Sequence, residues 1–311
     1  MELIKLFRKE FGDQAKLLGA SNDPTSPSFF FLDRVFRVPK RIDTDEHAHR
    51  LLEICRKERI DVLILLVDPE LPDIAKHRDE FQKIGTTAMI SRYESVRIAS
   101  DKILTYEFFL KAGIPTPKTL FPGESDLSKL EYPVIIKPRY GSAGKGIYVC
   151  ENAKMLEALC TAEHVVQEYV TGDEITVDIF GTGDGQCIHA VPRLRLKVRG
   201  GEVERGITIK DPKITEFAKV IAKHFKPFGA INVQLFRNRE SGNYWFTEIN
   251  ARFGGGYPLS YHAGANFPQL IKKLLMDEQI LENIDGYKPG VYMLRYDEAV
   301  YTERLRKLEE E

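Results

Sequence analysis

Residues 230–256 read AINVQLFRNRESGNYWFTEINARFGGG. Two apolar-rich runs, 230–236 and 244–250, flank a turn containing Ser241-Gly242, which predicts a β-hairpin. Glu248 and Asn250 are spaced by two and so share one strand face. With the turn centred on Ser241, Gln234 lies directly opposite Glu248, and opposed side chains stand about 5 Å apart. Three oxygen-bearing side chains on rigid strands suit Mg²⁺, which takes few protein ligands and leaves room for phosphate oxygens. Gln234, Glu248 and Asn250 are therefore the expected metal ligands. Arg252 falls on the same nominal face, where a guanidinium could hold a phosphoryl group in transfer. A surface hairpin with polar residues is the plain alternative, and the immediate sequel Ala251-Arg252-Phe253-Gly254-Gly255-Gly256 speaks against it.

Upstream, Val134-Ile135-Ile136-Lys137-Pro138 runs into Gly141-Ser142-Ala143-Gly144-Lys145-Gly146. Glycine accepts positive φ without steric cost, so successive N–H groups can turn toward an anion. Lys137 and Lys145 add charge. A strand follows rather than a helix, and glycine follows Lys145, so this is not a P-loop. A hairpin turn with an incidental lysine is the competing reading. Next come Val166-Gln167-Glu168-Tyr169-Val170 and Gly172-Asp173-Glu174. An apolar strand ending in an acceptor and a free backbone edge can pair with an adenine ring, and Glu174 could accept from ribose hydroxyls. Glu174, Thr176 and Asp178 share one face, although a solvated edge strand would look the same. Further on, Arg193, Arg195, Lys197 and Arg199 are spaced by two, with Arg205 across a Gly200-Gly201 turn. Like charges on one face repel, so an anion, phosphate or a substrate carboxylate, is expected to justify them. Arg199 is the member expected on plain surface.

The chain has 311 residues, more than one hydrophobic core usually supports, so two or three subdomains are expected. A net charge of -1 argues against nucleic-acid binding through global charge. No apolar run approaches the roughly 20 residues of a membrane span, and Glu2, Lys5, Arg8, Lys9 and Glu10 break any signal-peptide pattern. Cys55, Cys150, Cys160 and Cys187 lack metal or redox spacing, so free thiols in a reducing cytoplasm are expected. His47 and His49, two apart near a helix start, do not face the same way and predict no metal site together. The first hundred residues alternate helix (2–11), strand (15–20), helix (50–59) and a continuous apolar run, VLILLV at 62–67, as in a buried parallel strand of a doubly wound α/β layer. Such a layer ordinarily opens on a strand and a Gly-rich turn. This sequence opens on a helix, and the expectation is that the first strand lies outside it. A second unit begins near Ser100, read as the N-cap of a helix over 101–112. The tail, 301–311, reads as a charged helix.

Taken in order, Asp101-Lys102, Ile136-Lys137-Pro138, the loop 141–146, Gln167–Val170, Gly172–Glu174, Gln234 and Glu248–Arg252 resemble the ATP-grasp superfamily. Within it they resemble the carbamoyl-phosphate synthase large subunit and the carboxylate–amine ligases. The resemblance covers about residues 92–276, with the first ninety looking like the family's preceding domain. It implies an N-terminal doubly wound α/β (pre-ATP-grasp) domain over 1–98 and an ATP-grasp domain of two α+β subdomains over 99–285. A small lid lies within it at about 115–170, and a C-terminal strand and charged helix occupy 286–311. It implies ATP with Mg²⁺, or Mn²⁺ in its place. Lys102, Lys137 and the loop residues Gly141, Ser142, Gly144, Lys145 and Gly146 would contact phosphates. Glu168, Tyr169 and Val170 would read adenine, and Glu174 ribose. Gln234, Glu248 and Asn250 would hold metal. Arg252, and on the acceptor side Arg193, Arg195 and Arg205, would be catalytic. The implied activity is ATP-dependent activation of a small-molecule carboxylate for attack by an amine or ammonia. Carbamoyl-phosphate-synthase-like action on bicarbonate within a split enzyme, and a non-catalytic ATP-binding regulatory module, are the alternatives. No nucleic acid or membrane partner is expected, and a homodimer is the default assembly. The family's larger members carry two ATP-grasp units; this chain has room for one.

Overall fold

The computed structural model describes residues 1–310 except 41, 42, 124, 126, 142, 143 and 145. Ser142 and Lys145, expected in the phosphate loop, lie outside the described residues. The N-terminal unit runs α1 (Glu2–Phe11), β1 (Leu18–Ser21), β2 (Arg34–Arg37), α2 (Asp45–Glu58), β3 (Val62–Leu63), α3 (Leu71–Lys76), α4 (Arg78–Lys83) and β4 (Thr87–Ala88). β1 pairs with β2 and β3 with β4, both in parallel, as helix–strand alternation predicts. The apolar run 62–67 is not one buried strand. Only Val62 and Leu63 pair, and Leu66 and Val67 are exposed. The cause is Glu70, whose carboxylate accepts from the Leu66 and Val67 N–H groups at 3.2 Å each and bends the chain into a 3-10 turn at Asp68–Glu70.

Helices α5 (Tyr93–Ser100) and α6 (Lys102–Lys111) follow. Asp101, not Ser100, caps α6, accepting from Ile103 N at 2.9 Å, while Ser100 closes α5 and donates to Val96 O. A four-stranded antiparallel sheet comes next, from β5 (Thr119–Leu120), β6 (Val134–Pro138), β7 (Tyr148–Cys150) and β8 (His164–Glu168), in the order β5-β8-β6-β7. Val134, Ile136, Cys150 and Val166 bury one face with Leu156 of α7 (Ala153–Leu159). Strand side chains alternate, so Lys137 leaves on the opposite face.

The large antiparallel sheet is built from β9 (Asp173–Thr182), β10 (Cys187–Arg199), β11 (Glu202–Thr208), β12 (Phe228–Arg237), β13 (Tyr244–Asn250) and β14 (Tyr292–Leu294), ordered β13-β12-β9-β10-β11-β14. Ile175, Val177 and Ile179 of β9, with Val233 and Leu235 of β12, point into a core shared with Ile214, Ile221 and Phe225 of α8 (Pro212–Phe225) and Phe109 of α6. The other face is covered at one end only. There Phe180 meets Phe267 at 5.2 Å beneath α9 (Tyr257–His262) and α10 (Phe267–Leu275). At its other end the same face is polar, and that bare stretch is the floor of a cleft.

The tail is not a helix. Glu309 forms a parallel bridge with Phe36, donating to Val35 O and accepting from Arg37 N. Arg34 pairs with the Glu309 carboxylate, and Leu308 is buried. Backbone hydrogen bonds to a sheet edge and one buried leucine outcompete the local charged pattern for this segment.

Candidate active site

The cleft is a cavity of about 240 Å³ lined by Gly144, Glu174, Thr176, Arg193, Arg195, Glu202, Asn232, Gln234, Glu248, Asn250, Arg252 and Gly254–Gly256, among others. Its floor follows from strand register. Gln234 lies opposite Glu248, and Asn232 opposite Asn250. On the other side Gln234 faces Thr176 and Asn232 faces Asp178, and Thr176 faces Arg193 on β10. One polar row thus crosses four strands, as the period-two rule requires.

Among the described residues, no hydrogen bond holds the Glu248 carboxylate or the Gln234 amide. Burial pushes Glu248 up, while Lys102 and Lys137 pull it back. Burial likewise draws Lys102 down and Lys137 down to about 8, with the Glu248 charge opposing both. Lys137 donates to Gln167 Oε1 at 2.8 Å, and Gln167 in turn donates to Thr119 Oγ1 at 2.8 Å. Lys102 donates to Gly141 O at 2.9 Å. Its neighbour Asp101 accepts from Arg139 through both carboxylate oxygens, tying the start of α6 to the end of β6. Two cations from the small sheet and α6 therefore approach one carboxylate of the large sheet. Asn250 donates Nδ2 to Asn232 Oδ1 at 3.2 Å, which leaves its amide oxygen toward the cleft. Oxygen donors from Glu248, Asn250 and Gln234 are the hard ligands a small divalent cation takes, so the donor set fits Mg²⁺.

The basic ribbon departs from expectation. Four of the five cations pair with a carboxylate: Arg193 with Asp178, Arg195 with Glu174, Lys197 with Glu204 and Arg199 with Asp297. Carboxylates, three of them across a strand, offset these like charges. Arg193 is sealed in. It donates to Asp178 at 2.6 and 2.9 Å, and Ser260 donates to the same carboxylate at 2.5 Å. Gly256 has no room for a side chain, since a Cβ there would stand 2.3 Å from Arg193 Nη1. Arg205 does not line the cleft; it is exposed beside Lys197, where a bulge shifts the β10–β11 register. Glu174, expected to be free for ribose, already holds Arg195. Glu168, Tyr169 and Val170 sit where β8 leaves the small sheet for β9, with Glu168 N donating to Lys118 O at 2.9 Å. Gly172, in that crossing, lies so close to the Arg237 carbonyl that a Cβ would come within 2.3 Å of its oxygen.

Two site residues escaped the sequence reading. Asn232 orients Asn250; its spacing of two from Gln234 was the available signal. Asp68 lies 184 residues before Arg252 and grips it through Nε at 2.8 Å and Nη2 at 2.5 Å. Asp68 follows the apolar run 62–67, in the 3-10 turn beyond the carboxyl end of β3, the side on which α/β layers place ligand-facing residues.

Residues 161–292 match the family model described as ATP-grasp in the biosynthetic pathway with Ter operon, and residues 1–90 match that of the PylC-like N-terminal domain. The carbamoyl-phosphate synthase of Methanobrevibacter smithii is 29% identical over 157 residues, 48% of this chain and 41% of its own. The chain spans less than half the length of the curated relatives it matches. Among solved structures, the biotin carboxylase domain of Hydrogenobacter thermophilus 2-oxoglutarate carboxylase, in complex with MgADP, ADP and bicarbonate, superposes with a TM-score of 0.74 at 17% identity. That match covers 94% of this chain and 70% of that one. The L-amino acid ligase of Bacillus licheniformis follows with 0.66 at 18%, covering 88% and 78%. The resemblance read from the sequence is borne out, and the fold is that of the ATP-grasp enzymes, with an N-terminal α/β unit before the ATP-grasp unit.

Proposed function

We propose that this ATP-grasp chain uses Mg-ATP to convert a small-molecule carboxylate into an acyl phosphate, which an amine or ammonia then attacks. The observation that carries the reading is the row of Gln234, Glu248 and Asn250 in the cleft beside Arg252, with the buried Glu248 carboxylate in the field of Lys102 and Lys137. Lysines whose charge is disfavoured by burial gain most from a polyanion, so Lys102 and Lys137 would bind the ATP phosphates. Glu248, Asn250 and Gln234 would hold Mg²⁺, which when bound neutralises phosphate charge. Arg252 would steady the transferred phosphoryl group, and the glycines at 141, 144 and 146, with φ of 103°, 69° and 70°, would cap it. Glu168 to Val170 would read adenine, and Glu174, released from Arg195 or sharing it, the ribose. Arg195 is assigned to the acceptor side. Arg193 and Arg205 are given no contact with the reacting groups. Phosphoryl transfer asks for positioning and charge neutralisation more than covalent work, and this residue set supplies both. A reducing, cytoplasmic setting accords with the free cysteines.

Bicarbonate as the carboxylate is the second reading. The carbamoyl-phosphate synthases among the relatives favour it. The test is phosphate release from Mg-ATP by the purified chain, alone, with bicarbonate, and with pools of amino acids and small carboxylates, against Glu248→Ala. Stimulation by one pool identifies the acceptor class. Wild-type release by a folded Glu248→Ala chain overturns the metal assignment, and ATP binding without turnover under any condition points to a regulatory module.

A further inference from the structure

We propose that His49, His77 and Glu80 form a binding site for a divalent transition-metal ion, Zn²⁺ foremost, on the N-terminal unit. His49 lies on α2, and His77 and Glu80 are three apart at the start of α4. That spacing puts two side chains on one helix face, and α2 packs against α4. The three side chains thus meet. The His49 and His77 rings stand 5.1 Å apart, and ligand atoms from His49, His77 and Glu80 all lie within 4.8 Å of one another. His77 Nδ1 lies 2.6 Å from Glu80 and Nε2 lies 3.4 Å from Asp45. None of these residues lines the cleft.

Two imidazoles with one carboxylate, the fourth position left to water, are a nitrogen–oxygen set that zinc accepts in tetrahedral geometry, with bonds of about 2.0–2.2 Å. Those bonds put neighbouring ligand atoms roughly 3.3 Å apart, a distance that His49 and Glu80, both exposed, reach by rotamer adjustment. The pairing also explains why two histidines at 47 and 49 point to different partners. His47 is buried against Glu70 at 3.2 Å, while His49 faces outward to His77. An ion there would clamp α2 to α4.

The experiment is calorimetric titration of the full chain with ZnCl₂ in a non-chelating buffer, with Co²⁺ as a spectroscopic probe. The expected result is one ion per chain and a cobalt spectrum without a thiolate charge-transfer band. Affinity falls at least about tenfold in His49→Ala and in Glu80→Gln and is unchanged in Cys160→Ser, the variant that removes the least buried thiol. His49 and Glu80 are exposed, so neither variant puts folding at stake. Zinc binding that ignores both variants, a thiolate cobalt spectrum, or no binding at micromolar zinc overturns the proposal.

Discussion

Replacing Asp178 by asparagine tests whether Arg193 is a structural strut or a free cation of the cleft. Both side chains are 2% exposed and are joined by two charged hydrogen bonds, with Ser260 as a third member. Asp178→Asn keeps the shape and one accepting oxygen but removes the charge, leaving a buried guanidinium uncompensated. Breaking one side of a buried pair costs about 3–5 kcal/mol, a large part of the roughly 5–15 kcal/mol that holds most domains folded. At about 2–4 °C per kcal/mol for a domain of 150–250 residues, the melting temperature falls by roughly 6–20 °C. The assay is urea unfolding followed by fluorescence of Trp245, the single tryptophan, which lies on β13 of the same sheet. A loss below about 1 kcal/mol refutes the reasoning. The double variant Arg193→Met/Asp178→Leu removes both charges, and apolar replacement of a buried pair is near neutral, so it regains most of the loss. A double variant no more stable than Asp178→Asn assigns the effect to packing instead.

Three further outcomes are expected. Lys137 sits at about 8 against 10.5 in the unfolded chain, so the unfolded state binds more protons between those values and stability rises with pH across that window. Lys137→Met is therefore more stable than wild type at pH 7, by on the order of 1–3 kcal/mol, and the gain shrinks toward pH 10.5; a gain flat with pH in urea titrations refutes the assignment. Asp68→Asn loosens the grip on Arg252 and lowers kcat for phosphate release by about 100-fold with the melting temperature little changed; an unaltered kcat removes Asp68 from the site. Gly256→Ala drives a Cβ against Arg193 and Val203 and costs about 1–3 kcal/mol, read as a lowered melting temperature; a neutral substitution means that this loop shifts freely.

What the sequence determined by itself is whatever rests on local periodicity. Gln234 stands opposite Glu248 only because the register shifts between Gln234 and Leu235; the pairing nearer the turn, Arg237 opposite Tyr244, would set it across from Thr247. What local pattern did give is the hairpin and the alternation in 230–250, since a strand's facing follows from a period of two. The Gly200-Gly201 turn and α8 were legible for the same reason. The ordered motifs carried the ATP-grasp resemblance because each is a short contiguous run. The extent of the 62–67 strand was not legible, since Glu70 turns the chain with hydrogen bonds that no hydropathy pattern records. Nor was the tail, which takes its conformation from an edge some 270 residues away. Most of all, tertiary structure decided the charges. A cation's partner depends on which carboxylate lies across a strand or across the cleft, so the sequence displayed Arg193, Arg195 and Arg252 as free. Only the folded chain assigned them to Asp178, Glu174 and Asp68. Coulomb attraction acts over a few ångströms of space regardless of separation along the chain, and that distance is set by the fold alone.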